Sequence, residues 1–416
     1  MYGLRGIESL QVILTSRCNL RCRYCYQNSK KRGRMPWKTL RAALDLILDS
    51  TPREVGITFT GGEPLLEFPA IRRAVRYAER TRPPGKMVTY SISTNGTLLT
   101  DEAIAFLEEY RVKTQFSFDG AAAAQNLRGP GTFSALDRTL DRLRARHPEF
   151  YESHLRIALT ASPLNVPYLA DSVGYFLRKK VDAISIMPSF ASDAVWAIDR
   201  IDDLDSQFKR ILAISLAHAR RTGKMPVDIL RNVDDRPPRP VARPPMCGIA
   251  RGTGIIVDVD GEVYGCNLLV GSYQEFGSDS MRDRLNELRM GRVDAPALGR
   301  RFASFPSAVK RERIFNRKDK KYSAYGACRD CRWFDRCFMC PACIARVPGS
   351  SDPDRVSDFY CAFNQVALKY RSRAPLEPAL PEHLTIPPRL AEALLQHRRT
   401  RAARRSPRRE GNGARV

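Results

Sequence analysis

The chain has 416 residues, 43% of them hydrophobic, with 69 Lys and Arg against 45 Asp and Glu for a formal net charge of +24. At about 150 residues per domain this length predicts two or three domains, and no apolar run approaches the roughly 20 residues of a membrane-spanning helix, which excludes a helical membrane protein. No apolar stretch with a small-residue cleavage site follows Met1, so the start reads as mature protein in a reducing cytoplasm.

Between Leu10 and Gly223 short β-branched or aromatic runs alternate with longer amphipathic segments, a rhythm that favours parallel βα units. Strands are predicted at Gln11–Thr15, Val55–Thr60, Met87–Ser93, Val112–Phe118, Leu155–Thr160 and Ala183–Met187. Helices are predicted to begin near Trp37, Phe68, Thr100, Thr132, Val166 and Asp203, several behind Pro, Ser, Thr or Asp start signals. Six right-handed βα units give an α/β fold, a partial (β/α)6 barrel, since a full eight-stranded barrel takes about 250 residues. Reactive groups in such folds sit at the carboxyl ends of the strands.

Residues 1–235 are assigned to this barrel. Residues 236–246, within Arg-Pro-Pro-Arg-Pro-Val-Ala-Arg-Pro-Pro, lack the backbone donors for regular structure and read as a semi-rigid linker. Residues 247–375 form a small cysteine-rich α+β domain, with strands at Gly254–Val259 and Glu262–Tyr264 about the turn Asp260-Gly261, then cysteine-rich loops with little regular core. Residues 376–416, ending in eight arginines from Arg398 with one glutamate, are expected to be disordered.

The eleven cysteines fall as Cys18, Cys22 and Cys25, then none until Cys247, then eight ending at Cys361. An odd count in a long intracellular chain argues against a disulfide framework and for thiolate ligation or redox chemistry. Cys18-Asn-Leu-Arg-Cys22-Arg-Tyr-Cys25 places three thiols on a loop after the first strand. A four-iron cluster takes a thiolate at each iron corner, so three leave one iron open. A zinc site is the competing reading, although zinc motifs favour paired spacings with a fourth ligand nearby.

The Cys-x3-Cys-x2-Cys spacing with an aromatic before the third cysteine resembles the signature of the radical S-adenosylmethionine (SAM) superfamily. Gly61-Gly62-Glu63-Pro64, closing the second strand, looks like that family's motif for the methionine amino group, with glycines for close backbone approach and Glu63 as acceptor. Ser93-Thr94-Asn95-Gly96 and Ser117-Phe118-Asp119-Gly120 end the third and fourth strands; singly each reads as a turn, but four strand ends match in order. The resemblance implies that the open iron chelates SAM, that Tyr24 lies against the adenine, that Ser93, Asn95 and Ser117 contact the ribose or carboxylate, and that Arg128 reaches the SAM carboxylate. It further implies cleavage to a 5′-deoxyadenosyl radical that abstracts hydrogen, with catalytic side chains left unassigned.

The order Cys247-x13-Gly261-x4-Cys266, then Cys328-x2-Cys331-x5-Cys337-x2-Cys340-x2-Cys343, then Cys361 resembles the SPASM extension of peptide-modifying radical SAM enzymes. The usual step after the third cysteine of the run is Cys-x3-Cys; Cys340 falls one residue early and Cys343 two late, and either suits the family role. Using every thiolate gives two auxiliary [4Fe-4S] clusters, one on Cys247, Cys266, Cys340 and Cys343 and one on Cys328, Cys331, Cys337 and Cys361. A four-thiolate zinc site is the alternative for one of them.

Such relatives mostly act on peptides or proteins. In sulfatase-maturing relatives an aspartate follows the second extension cysteine as base; here it is Asn267, which cannot serve as one near neutral pH. The resemblance thus implies a maturase of a ribosomally made peptide, forming a cross-link or similar oxidative product, with a sulfatase-type maturase as the rival. With the first strand near residue 10, a leader peptide would be read by a separate protein or by this chain's own surface. A flavodoxin or ferredoxin-type reductant is implied. The basic patch from Lys310 to Lys321 suits an acidic partner. Aromatics are not interleaved with the arginines, which argues against a nucleic-acid substrate; the reading of another class is a zinc- and nucleic-acid-binding protein whose cysteines fold zinc modules and whose arginine tail grips phosphates.

Overall fold

The computed structural model describes residues 6–27, 33–189, 195–233, 253–267, 270–272, 289–295, 298, 302, 318–337, 352 and 354–377. Six parallel strands lie side by side in chain order: β1 (Ser9–Thr15), β2 (Glu54–Gly61), β3 (Met87–Thr94), β4 (Lys113–Ser117), β5 (Leu155–Ala161) and β6 (Ile184–Pro188). They alternate with α1 (Trp37–Leu48), α2 (Phe68–Thr81), α3 (Asp101–Glu109), α4 (Ala122–Gln125), α5 (Phe133–Arg146), α6 (Pro148–Ser153), α7 (Leu169–Arg178) and α8 (Ile201–Thr222). Each predicted strand and helix start falls on or beside one of these elements; Val166 opens a 3-10 turn into α7. Local chemistry fixes the boundaries. Thr100 Oγ1 accepts from Ala103 N at 3.2 Å to cap α3, and Gly223, at φ 73, ends α8 in the left-handed conformation that glycine adopts most cheaply.

The strand register separates two faces. Leu10 pairs with Ile57, Ile57 with Tyr90, Phe116 with Ile157 and Ile157 with Ile184, and all six are buried. Burying each such side chain contributes about 1.5–3 kcal/mol. On the other face Gln11, Thr58, Ser91, Ser93, Gln115, Ser117, Ala158, Thr160 and Met187 are partly or fully exposed, and the pair Ile13 and Thr60 is buried at the ends of β1 and β2. Thr58 and Ser91 share a 2.7 Å hydroxyl hydrogen bond across β2 and β3. Small and polar side chains leave this face open where a closed barrel would be filled by branched aliphatics.

After α8 come β7 (Asn232–Val233), β8 (Gly254–Val257), β9 (Glu262–Tyr264), β10 (Gly291–Arg292), β11 (Tyr322–Ser323), β12 (Gly326–Ala327), helix α9 (Asp358–Arg371) and β13 (Leu376–Glu377). β8 pairs parallel with the free side of β1, from Ser9 opposite Gly254 to Val12 opposite Val257. β9 returns antiparallel about Asp260-Gly261, as expected, and among the described residues the sheet runs β10-β9-β8-β1-β2-β3-β4-β5-β6, with Ile184 of β6 bridged to Val227 at that edge. The linker at 236–246 lies outside the described residues; the backbone on either side of it shares one sheet. β7 and β13 pair parallel in a separate small unit, and the tail beyond 377 lies outside the described residues.

The late segment holds more regular structure than its cysteines suggest. α9 is a 14-residue helix with nine buried residues, capped by Ser357 Oγ accepting from Tyr360 N at 3.3 Å. It packs on α8 through Phe363 edge-on to Phe208 at 5.4 Å, while Tyr370 OH donates to Asp205 at 2.9 Å and Lys369 pairs with the same carboxylate. Lys321, at the end of the expected basic patch, is 2% exposed and so is not part of a surface; residues 310–317 lie outside the described residues. Among the described residues no helix is long and apolar enough to cross a membrane.

Candidate active site at the strand ends

The cysteine loop leaves β1 at Thr15. Thr15 Oγ1 donates to Gly33 O at 3.0 Å and Ser16 N to the same oxygen at 3.1 Å, which tie down its base. Cys25 N donates to Cys22 O at 3.1 Å, and Leu20 N to Cys18 Sγ at 3.4 Å. Cys18, Cys22 and Cys25 are outside any disulfide, each partly exposed. Burial pushes the Cys22 thiol up to about 11; the Arg128 guanidinium opposes this, and Cys25 and Cys18 both add to it, so the three sulfurs share one electrostatic site. Among the described residues no three His, Cys, Asp or Glu are grouped closely enough to hold a single metal ion. A four-iron cluster takes its thiolates at separate corners, so three spaced, accessible thiols fit it.

The glycines of Gly61-Gly62 are required by the chain itself. A Cβ on Gly61 would stand 2.3 Å from Thr15 O, and one on Gly62 2.3 Å from Arg17 O. Gly62 N donates to Thr15 O at 2.8 Å and Glu63 N to Arg17 O at 2.9 Å, so this segment is stitched along the start of the cysteine loop. Glu63 is fully buried. Its Oε1 accepts from Leu65 N at 3.0 Å and Thr94 Oγ1 at 2.7 Å, and its Oε2 from Asn95 N at 2.7 Å. Burial raises its pKa while these three donors lower it. A carboxylate has about four acceptor sites, so one remains for an amino group. Pro64 opens the following 3-10 turn, where its missing N–H costs nothing.

Asn95 joins the motifs. Its Nδ2 donates to Asn19 Oδ1 at 2.9 Å and lies 3.9 Å from Cys18 Sγ, and its Oδ1 accepts from Thr97 Oγ1 at 2.6 Å. Ser93 and Ser117 sit partly exposed on the open face at the ends of β3 and β4. Gln27, which sequence reasoning did not single out, is 7% exposed and donates from Nε2 to Gly61 O at 2.9 Å.

Asp119 was legible only as a turn residue. It is instead the buried hub of a network. Its carboxylate pairs with Arg128 at 2.9 Å, accepts from Thr160 N at 3.1 Å and takes the Tyr24 hydroxyl as a donor. Arg128 is not a solvated loop residue: it is 7% exposed, and its Nη2 also reaches Ala158 O at 3.2 Å and Thr160 Oγ1 at 3.0 Å. Tyr24 is buried with its ring 5.4 Å from the guanidinium carbon, and burial pushes its pKa far up.

Four late cysteines converge. Cys328, Cys331, Cys337 and Cys361 line one cavity of about 540 Å³ with Trp333 and Gln365. Gln365 Nε2 donates to Cys361 Sγ at 3.3 Å, and burial raises the pKa of that thiol. Four thiols around one space suit a fully ligated cluster, with a thiolate at each iron corner, better than a single zinc ion, for which they are not grouped closely enough. Cys266 follows β9, near Asn267 Oδ1 at 3.6 Å; Cys247, Cys340 and Cys343 lie outside the described residues.

Residues 12–158 match the family model of the radical SAM superfamily. The chain is 29% identical over 269 residues to an uncharacterized protein of Methanocaldococcus jannaschii, covering 64% of this chain and 87% of that one. It is 27% identical over 350 residues to the tungsten-containing aldehyde ferredoxin oxidoreductase cofactor-modifying protein of Pyrococcus furiosus, covering 80% and 89%. It is 31% identical over 144 residues to the serine-type anaerobic sulfatase-maturating enzyme of Klebsiella aerogenes, covering 32% of this chain and only 36% of that enzyme. Among solved structures, anSMEcpe with bound AdoMet and Kp18Cys peptide aligns with a TM-score of 0.63 at 19% identity, covering 88% and 97%. Streptococcus suis SuiB bound to precursor peptide SuiA aligns at 0.52 and 14%, covering 86% and 76%. These two likenesses show the fold, and with it the mixed α/β architecture carrying the cysteine loop. Residues 12–158, which hold the three thiols and the glutamate cradle, thus form a domain that matches the radical SAM superfamily of enzymes.

Proposed function

We propose that the chain is a SPASM-type maturase that oxidatively modifies a ribosomally made peptide, installing a product such as a cross-link. In this reading Cys18, Cys22 and Cys25 hold the SAM-binding [4Fe-4S] cluster. Gly61 to Pro64, Ser93, Asn95, Ser117 and Tyr24 surround SAM, with the unused acceptor site of Glu63 facing its amino group. Bound together, cluster and SAM supply a 5′-deoxyadenosyl radical that abstracts hydrogen from an unactivated carbon. The chain's own part is orientation and water exclusion: Glu63 fixes an ammonium, Asn95 ties the β3 end to Cys18, and the hydroxyl-lined open face leaves room for a polar, extended substrate.

One observation carries the SPASM assignment: Cys328, Cys331, Cys337 and Cys361, scattered over 34 residues of sequence, line one cavity. That is the set assigned to one auxiliary cluster on spacing. Cys247, Cys266, Cys340 and Cys343 would hold the second. The peptide substrate is supported by the fold shared with SuiB and anSMEcpe, whose structures contain peptides. A flavodoxin or ferredoxin-type reductant, a separate leader-binding protein and a cytoplasmic setting belong to the same reading.

The sulfatase-type reading draws on the 31% identity to the Klebsiella enzyme, and is weakened by Asn267, a neutral amide where that branch has a basic carboxylate. Anaerobically reconstituted protein given a short peptide encoded beside its gene, with the product weighed, separates the two. Loss of two hydrogens from the peptide supports the proposal; a sulfatase peptide converted to formylglycine, with the neighbouring peptide untouched, replaces it.

A further inference from the structure

We propose that the buried Asp119–Arg128 pair sets the reduction potential of the cluster held by Cys18, Cys22 and Cys25, with Arg128 a positioning residue that acts through the cysteine loop. This rests on the functional reading above. The segment after α4 is the platform under that loop. Arg23 N donates to Leu127 O at 2.8 Å, a Cβ on Gly129 would meet Leu20 Cδ2 at 3.0 Å, and the Arg128 guanidinium carbon is 5.4 Å from the Tyr24 ring centre. Every one of these contacts falls between two cysteine ligands.

Both charges are buried, at 8% and 0% side-chain exposure, so their fields are weakly screened by solvent. Arg128 Nη2 has three acceptors within reach, Asp119 Oδ1, Ala158 O and Thr160 Oγ1, against two hydrogens, and so is committed within the protein. The pair is neutral in sum, and both members reach the loop through Tyr24: the Arg128 guanidinium lies against its ring, and Asp119 accepts from its hydroxyl. Reduction adds an electron to a cluster, and a nearby positive charge favours that state while a negative one opposes it.

The test is a redox titration of the reconstituted full chain with a chemical reductant, followed by electron paramagnetic resonance. Arg128→Gln lowers the midpoint and Asp119→Asn raises it, each by at least tenfold in the reduction equilibrium, or 59 mV for one electron. The double variant and Arg128→Lys stay near wild type, and if Arg128→Gln loses its iron, the contrast between Asp119→Asn and the double variant still decides. Shifts of the same sign, or none, overturn the proposal. So does an Arg128→Gln protein with unchanged potential and weakened SAM binding by equilibrium dialysis, which would make Arg128 a contact to the SAM carboxylate. A wild-type chain that holds no reducible cluster at the loop overturns the functional reading as well, and is thereby told apart from a failure of this inference alone.

Discussion

Glu63 has about four acceptor sites and three protein donors, and that leftover site defines what the β2 end can bind. Glu63→Gln puts an amide donor against Leu65 N, Thr94 Oγ1 or Asn95 N, leaving a buried donor unmatched at a cost of about 1–3 kcal/mol. SAM affinity is expected to fall at least tenfold by equilibrium dialysis, with the cluster retained. Because burial raises the folded pKa of Glu63, the ionised carboxylate costs stability: its contribution is present at low pH and lost as pH rises through that raised pKa. SAM binding has the opposite slope, strengthening as pH rises above the ordinary carboxylate range, and Glu63→Gln should flatten that slope. Gly62→Ala is a different lesion. Its Cβ displaces Arg17 O and with it the cysteine loop, so iron should fall by about four per chain while the auxiliary iron stays.

At the scale of elements, α9 is the part on which the late cysteines depend. Phe363→Ala removes the ring packed on Phe208 and should cost about 3–5 kcal/mol, loosening the helix that carries Cys361. Auxiliary-cluster signals are then expected to weaken while the SAM-binding cluster persists; equal loss of both would mean that α9 serves the whole fold. The six βα units were readable because β-branched runs and start signals such as Pro36 and Thr100 are local. α9 was missed although Phe359, Tyr360, Phe363, Val366, Ala367 and Tyr370 recur at helical spacing behind the Ser357 cap, because cysteine spacing dominated the reading of that segment. Asp119 was missed for another reason: Asp-Gly after a strand looks like any turn, and only the distant Arg128 and Tyr24 make it a hub. The glycines of the β2 end were recognised as a close approach, but their neighbour is the backbone of Thr15 to Arg17.

For the whole molecule, the sheet crosses the proline-rich linker. β8 supplies a parallel partner to β1, so cutting the chain after residue 235 would bare the β1 edge and the apolar Ile255 to Val257 contact. A 1–235 fragment is expected to aggregate or to melt without a cooperative transition in calorimetry; a soluble, two-state fragment would show that the barrel stands alone. The +24 charge names no partner, and Lys321 is buried rather than part of a surface patch, whereas three plus four of the eleven cysteines fall at two places in space.

The central claim is that the loop of Cys18, Cys22 and Cys25 performs radical SAM chemistry. Its most direct test is the release of 5′-deoxyadenosine from SAM by the reduced, anaerobically reconstituted chain. Wild type should release it, with near twelve irons per chain if three four-iron clusters are present, and Cys18→Ala should abolish release while keeping the auxiliary iron. Undiminished release from Cys18→Ala, or a wild-type chain that holds zinc without sulfide, would contradict the account.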